Sequence, residues 1–288
     1  MNKAFFIKLG FTLLEILLFV LLSAILIVSY TALFKVLALV DGPVKSETDP
    51  FWGLAIEYLP LNAAFLLAYF VVRKFVFKRS FAELGFNREK VLVGLGKGFI
   101  ESALIITVGV IVLTILQKLE YTGVQWNSSL FVGFLVLFLF QSLSEEILTR
   151  GFLLGVIAHR FGNYWALAVS SLLFSLLHFF NPDFNWLAGL NILLAGLALG
   201  LLYIKYQNLW VCTGFHWGWN FMQSAFYDFN VSGFDIASLI SFSSLPPAWL
   251  TGGGFGFEGS ILSVIALTAF CGYYGFKTDF SGVIGEGE

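Results

Sequence analysis

Residues 130–140 read LFVGFLVLFLF, and residues 144–150 read SEEILTR. An unbroken apolar run leads into two adjacent carboxylates and an arginine. A span of roughly 20 apolar residues is what a helix needs to cross the hydrocarbon core of a bilayer. An ionisable group inside such a helix costs at least about 2.5 kcal/mol on insertion scales, so it is rare and usually functional. The stretch therefore poses fold and function together. Lipid is the solvent, and Glu145, Glu146 and Arg150 sit where lipid should exclude them.

Composition agrees. Of the 288 residues 58% are hydrophobic and 12% charged, and the mean hydropathy is +0.87. A soluble domain carries about 25% charged residues, so this chain has too little polar surface to cover a water-facing body. The net charge of −2 comes with no large basic patch, which argues against a nucleic-acid partner. Cys212 and Cys271 both lie in apolar stretches and read as buried free thiols, too few for a thiol-rich metal site. The first apolar run, from after Lys8 to about Val40, is too long for a signal-peptide core and predicts a retained span.

Working outward from residues 130–150, the hydropathy predicts about eight spans, near 9–40, 54–77, 92–117, 129–158, 163–180, 185–204, 208–228 and 258–276. Polar or turn-forming separators divide them: Asp41-Gly42-Pro43, Arg73 to Lys97, Lys118 to Asn127, His159 to Asn163, Asn181-Pro182-Asp183, Lys205 to Asn208, and a long loop from about Asn230 to Phe257. Continuous apolar runs lack the period-2 alternation of a membrane β-barrel. The predicted fold class is all-α, a polytopic transmembrane helix bundle. The Lys/Arg distribution puts the N-terminus, the basic stretch Arg73 to Lys97, Arg160, Lys205 and Lys277 in the cytoplasm, so both termini are cytoplasmic. Three regions follow: 1–128 with N-terminal spans and a basic cytoplasmic loop, 129–225 with the polar core, and 226–288 with an extramembrane loop and the last span.

Two further spans carry polar groups. One holds Phe174-Ser175-Leu176-Leu177-His178, the other His216-Trp217-Gly218-Trp219-Asn220. Glu146 lies 13 residues before His159, and His178 lies 15 residues after Asn163. At 1.5 Å per residue both are on the order of 20 Å from the turn at 159–163, and His216 is about 16 Å from Lys205. The three segments can share one layer near mid-membrane. Glu146 and Arg150, Phe174 and His178, and His216 and Asn220 are each i,i+4 pairs on one helix face. Glu145 and Glu146 are about 100° apart around a helix, so they point differently. The Arg150 face favours Glu146 as the functional carboxylate, or as its partner.

Such a set can activate water. A buried Glu can act as general base, and two histidines with an asparagine can bind a metal or donate to a developing oxyanion. Zn²⁺ sites use His and carboxylate ligands with a water, although the compact HExxH motif is absent. Each group alone also has an ordinary role: Glu145, Glu146 and Arg150 as a buried ion pair, the histidines as packing residues, Asn220 as interhelical glue. Gly196 and Gly200 read as a close-packing helix face. Agreement in depth and spacing is what turns these groups into one candidate site.

Glu145-Glu146-x-x-x-Arg150, then Phe174-x-x-x-His178, then His216-x-x-x-Asn220, in that order on membrane segments, resembles the signature of the CPBP family. These are the CAAX-protease and bacteriocin-processing (Abi) intramembrane endopeptidases. Arg150-Gly151, the stretch Ala166 to His178, Asn208-Leu209-Trp210 and the cytoplasmic Ala82-Glu83-Leu84-Gly85-Phe86 support the resemblance, which covers about residues 129–225. Thr149 departs from the aromatic that many members have before the arginine. The resemblance implies that Glu146, with Glu145 adjacent, and His178 activate water. It implies that His216 and Asn220 stabilise the oxyanion or complete a metal site, and that Arg150 orients the glutamates. A Zn²⁺ held by Glu146, His178, His216 and Asn220 and a metal-free glutamate mechanism both remain open.

The expected function is intramembrane peptide-bond hydrolysis, entered from the cytoplasmic side, by a multi-pass protein of a prokaryotic cell membrane. Its expected partners are the bilayer and a peptide or membrane-associated protein. The rivals are a non-proteolytic scaffold or bacteriocin-immunity protein of the same family, and a proton-coupled transporter. A transporter would favour inverted repeats, and none is visible.

Overall fold

The computed structural model describes residues 3–41, 63–64, 66–68, 70–76, 85–86, 90–124, 127–236 and 238–281. Gly42-Pro43, the first part of the expected span 54–77, Ala82-Glu83-Leu84, and the basic residues Lys45, Lys78, Arg79 and Arg88 lie outside the described residues. The protein is mostly helical. Helix α1 (Lys3–Asp41) is followed by helical residues ending in a π turn, Val72–Val76. Then come α2 (Val91–Ile115), strand β1 (Leu119–Val124) and α3 (Ser128–Glu146), which runs through a π segment (Ile147–Leu154) into α4 (Gly155–Phe161). Next are α5 (Asn163–Leu177), α6 (Trp186–Tyr206) and α7 (Leu209–Phe221), the last ending in a further π segment, Met222–Phe226. Strand β2 (Ile240–Ser244), the short α8 (Ala248–Thr251) and α9 (Ile261–Lys277) complete the chain.

Among the described residues four helical stretches are long and apolar enough to cross a membrane: Ala4–Leu26, Val91–Ile115, Leu130–Phe161 and Trp186–Tyr206. Helices α5 and α9 are apolar but shorter, as is α7. The expected spans 163–180, 208–228 and 258–276 are therefore longer than the helices found there. Their ends turn where Asn181-Pro182 and Asp228-Phe229-Asn230 offer polar backbone partners. The purely all-α expectation also needs correction. β1 and β2 pair antiparallel, with Leu119 opposite Ser244 and Val124 opposite Ile240. Tyr121 and Phe242 stack edge to face across them at 6.0 Å. These strands lie in the segments expected to be a separator and a loop, and they are too short to stand out beside the long apolar runs.

Helix α2 shows why the bundle is built for lipid. Its buried face is small over the first half, with Gly94, Gly98 and Ser102, and continues with Ile106, Gly109, Val110 and Leu113. Ile100, Leu104, Val108, Ile111 and Ile115 are exposed. A water-soluble helix buries its large apolar groups, but in lipid small residues let backbones approach while large ones face the tails. A Cβ on Gly98 would lie 2.1 Å from the Val211 carbonyl oxygen, and one on Gly214 would lie 2.2 Å from that of Leu95. Helices α2 and α7 thus pack backbone to backbone. The Trp217 indole donates to the Leu135 carbonyl at 2.9 Å, bracing α7 against α3. Helix α7, the carrier of His216 and Asn220, is fixed from both sides.

Helix α6 is seated the same way. A Cβ at Gly196 would meet Ser171 Cα at 2.9 Å, and one at Gly200 would meet Leu167 Cδ1 at 2.5 Å. The two glycines read as a close-packing face do face α5. Both cysteines are free thiols: Cys212 donates to the Leu199 carbonyl and Cys271 to that of Leu194.

Candidate active site

Glu145 and Glu146 end α3, where the helix widens into the π segment. Such insertions re-aim side chains and recur at functional sites. The two carboxylates diverge, as their spacing requires. Glu146 turns into the protein and its side chain is 0% exposed. Glu145 turns into a cavity of about 480 Å³ and is 30% exposed. The cavity wall brings in His178 from the end of α5 and His216 and Asn220 from α7, on a largely apolar lining that includes Phe174, Phe215 and Trp219.

Behind the wall lies a buried ionic cluster, in which Glu146 Oε2 and Arg150 Nε take no hydrogen bond from a described residue. Arg150, fully buried, donates from Nη1 to Glu146 Oε1 at 2.9 Å and to Thr149 Oγ1 at 2.7 Å. Its Nη2 donates to the Gly196 carbonyl at 3.1 Å, and its guanidinium lies 4.5 Å from the centre of the Phe174 ring. Planar forked donation of this kind is what arginine does and lysine cannot. Thr149, the departure from the family's usual aromatic, accepts from Arg150 and donates to the Glu145 carbonyl at 2.6 Å. Gly196 therefore has a second role besides packing. Its bare backbone lets the Arg150 guanidinium reach a carbonyl on α6.

Acceptors fix how both histidines present themselves. His216 Nδ1 is 2.9 Å from Glu146 Oε1, and His178 Nδ1 is 2.8 Å from the Phe174 carbonyl. A carboxylate and a carbonyl only accept, so each Nδ1 carries the hydrogen. Each Nε2 is left facing the cavity. Glu145 Oε2 lies 4.0 Å from His178 Nε2 and 3.8 Å from His216 Nε2, and takes no hydrogen bond from a described residue. One water donating to two acceptors at about 2.8 Å each holds them roughly 4.5 Å apart. The Glu145–His178 separation is near that span.

The other Glu145 oxygen is held by a residue that sequence reading missed. Gln141 Nε2 donates to Glu145 Oε1 at 2.6 Å, and Gln141 Oε1 accepts from Asn220 Nδ2 at 3.0 Å. The carboxylate sets the orientation of both amides, because it requires the nitrogen of Gln141 and so leaves its oxygen for Asn220. The second amide hydrogen of Asn220 remains for the cavity. Gln141 is i,i+4 to Glu145, the same spacing that singled out the other pairs. Glu258 was missed too. It lines the cavity, accepts from the Trp219 indole at 3.1 Å, and takes two bonds from Ser232, backbone at 2.9 Å and hydroxyl at 2.8 Å.

Two expectations need revision. His178 is not inside a span but caps α5, its backbone N–H bonded to the Ser175 carbonyl at 3.2 Å. It still meets the other groups because α5 is short: His178 lies 15 residues after Asn163 and Glu145 lies 16 residues before Phe161, so both stand at a similar distance from the 161–163 turn. The four residues named for a metal do not converge either. Zinc needs its donors about 2.0–2.2 Å from one centre, yet Glu146 is enclosed with Arg150 and the Nδ1 side of His216, behind the cavity wall that His178 lines. No group of three or more His, Cys, Asp or Glu among the described residues is spaced to hold a metal ion. As the side chains stand, these four do not share one centre.

A carboxylate, two histidines and an asparagine gathered in an apolar cavity define a candidate hydrolytic site inside a helical membrane protein. Residues 127–222 match the family model described as "Type II CAAX prenyl endopeptidase Rce1-like". This third of the chain holds all six motif residues, and the match is to the CAAX-protease type that the motifs resemble. The match supports a protease function of that type. No curated protein and no solved structure matches the chain.

Proposed function

We propose that the chain is an intramembrane endopeptidase in which Glu145, rather than Glu146, is the general base. The observation that carries this reading is that Glu145 Oε2 faces both imidazole Nε2 atoms across the cavity while Glu146 is sealed behind it. A water between Glu145 Oε2 and His178 Nε2 gives one hydrogen to each and aims a lone pair at a peptide carbonyl. As its oxygen bonds to the carbonyl carbon, its proton passes to Glu145. The oxyanion is met by the free amide hydrogen of Asn220 and by Nε2–H of His216 in its imidazolium form, whose Nδ1 side is balanced by Glu146. On collapse the C–N bond breaks, and Glu145 returns the proton to the departing amine.

Donors aimed at charge that develops only in the transition state are worth about 2.7–4 kcal/mol each. Arg150 does not touch substrate in this scheme. It holds Glu146, which holds His216. The apolar lining suits a peptide segment with bulky apolar side chains.

The test is incubation of the detergent-purified protein with apolar peptides in water enriched in ¹⁸O, with products read by mass spectrometry. Hydrolysis puts one heavy oxygen into the new carboxyl terminus. The reading predicts this label for wild type and its loss in Glu145→Gln and His178→Ala. Unchanged cleavage in both variants would overturn it.

A further inference from the structure

The helices give the bundle two chemically different ends. Helices α2 and α7 run parallel, since Gly94 abuts Trp210 and Gly218 abuts Ser102. Both start at the end where Lys205 donates to the Lys277 carbonyl and Asn163 to that of Phe280. Helix α1 begins there as well, with Phe5 edge to face against Phe161 at 5.7 Å and Glu15 paired to Arg160 at 2.8 Å. That end carries Lys8, Lys90, Arg160, Lys205 and Lys277. The other end carries Lys118, Glu120, Asp183, Asp228 and Asp235.

The cavity belongs to the acidic end. Its lining runs from Leu199 and Phe215, midway along α6 and α7, out to Asn181, Phe234 and Asp235. His178 caps the end of α5 opposite Asn163. A cytoplasmic Arg160 and cytoplasmic entry to the site, both expected from the sequence, exclude each other in this fold. Lysine and arginine beside helix ends set the orientation of a membrane protein, whereas acids contribute little. The cations therefore decide.

We infer that the basic end faces the cytoplasm and the cavity opens on the opposite, non-cytoplasmic side. The substrate is then a peptide presented from outside, its apolar side chains filling the cavity and a basic flank meeting Asp183 and Asp235, whose field attracts cations. The side of entry is independent of the proteolytic reading, on which only the substrate assignment rests.

The test is labelling of cells with a membrane-impermeant maleimide. Asp235→Cys and Phe234→Cys place thiols at exposed positions of the mouth, and Lys90→Cys places one at the exposed basic end. Wild type, with Cys212 buried and Cys271 half-buried, sets the blank. The inference predicts that intact cells label the two mouth variants as fully as permeabilised cells do, and label Lys90→Cys only after permeabilisation. The reverse pattern, or label at Lys90→Cys in intact cells, overturns it. In a second arm, a lysine-flanked leucine- and phenylalanine-rich peptide is added outside intact cells making wild type or Glu145→Gln. Cleavage by wild type alone supports the substrate assignment. Absence of cleavage together with outside labelling overturns that assignment and leaves the orientation standing.

Discussion

Arg150 and His216 bind the same oxygen, Glu146 Oε1, each at 2.9 Å. One buried carboxylate thereby joins the ion pair that locks α3 to the imidazole that faces the cavity. Glu146→Ala leaves Arg150 buried and unpaired, and breaking a buried pair from one side costs about 3–5 kcal/mol. The expected result is a large fall in thermal stability in detergent, measured by scanning fluorimetry, with activity lost as a consequence. A Tm equal to wild type would remove Glu146 from its structural role.

Arg150→Lys keeps the charge but loses the fork. A lysine cannot satisfy Glu146, Thr149 and the Gly196 carbonyl in the geometry shown while lying flat on the Phe174 ring. The variant should be less stable than wild type and should cleave more slowly because His216 is no longer held. Wild-type values for both melting temperature and rate would show that the charge alone suffices.

Gln141 provides a test that leaves the ionic cluster intact. Gln141→Leu removes the donor to Glu145 Oε1 and the acceptor for Asn220 Nδ2. Misplacing a reacting group by about 1 Å can cost on the order of 10²-fold in rate. The variant is expected to lose activity on that scale in kcat, with KM for the peptide nearly unchanged. A change confined to KM would make Gln141 a binding residue instead.

The glycine contacts separate packing from composition. Gly98→Val drives a side chain into the Val211 carbonyl, whereas a Cβ on Gly96 meets nothing within 4 Å. Gly98→Val should therefore destabilise the bundle and disturb His216 and Asn220 through α7. Gly96→Ala should be close to neutral in melting temperature and activity. Equal behaviour of the two variants would mean that α2 and α7 do not meet as described.

The motif residues were legible in the sequence because lipid makes polar groups conspicuous and i,i+4 spacing assigns them to faces. Divergence of Glu145 and Glu146 followed from helix geometry. Which of them meets the cavity did not, because the Arg150 pairing that drew attention to Glu146 is what withdraws it from the cavity. Gln141 escaped notice as an uncharged residue at the end of LFVGFLVLFLF, although its spacing to Glu145 was there to see. The Gly94, Gly98 and Gly214, Gly218 contacts also escaped, since a glycine ridge gains meaning only when its partner helix is known. His178 looked buried because Phe179 and Phe180 continue the apolar pattern past the true helix end. Glu258 sits in a glycine-rich loop, and nothing local ties it to Trp219 or Ser232.

The most direct measurement is the single-turnover cleavage rate of Glu145→Gln beside Glu146→Gln, with the melting temperature of each taken on the same sample. Loss of a general base costs roughly 10²–10⁴-fold. The account predicts a loss of that size in Glu145→Gln at an unchanged melting temperature, and a lowered melting temperature in Glu146→Gln. Wild-type turnover by Glu145→Gln, with the chemistry lost in a stable Glu146→Gln, would contradict it.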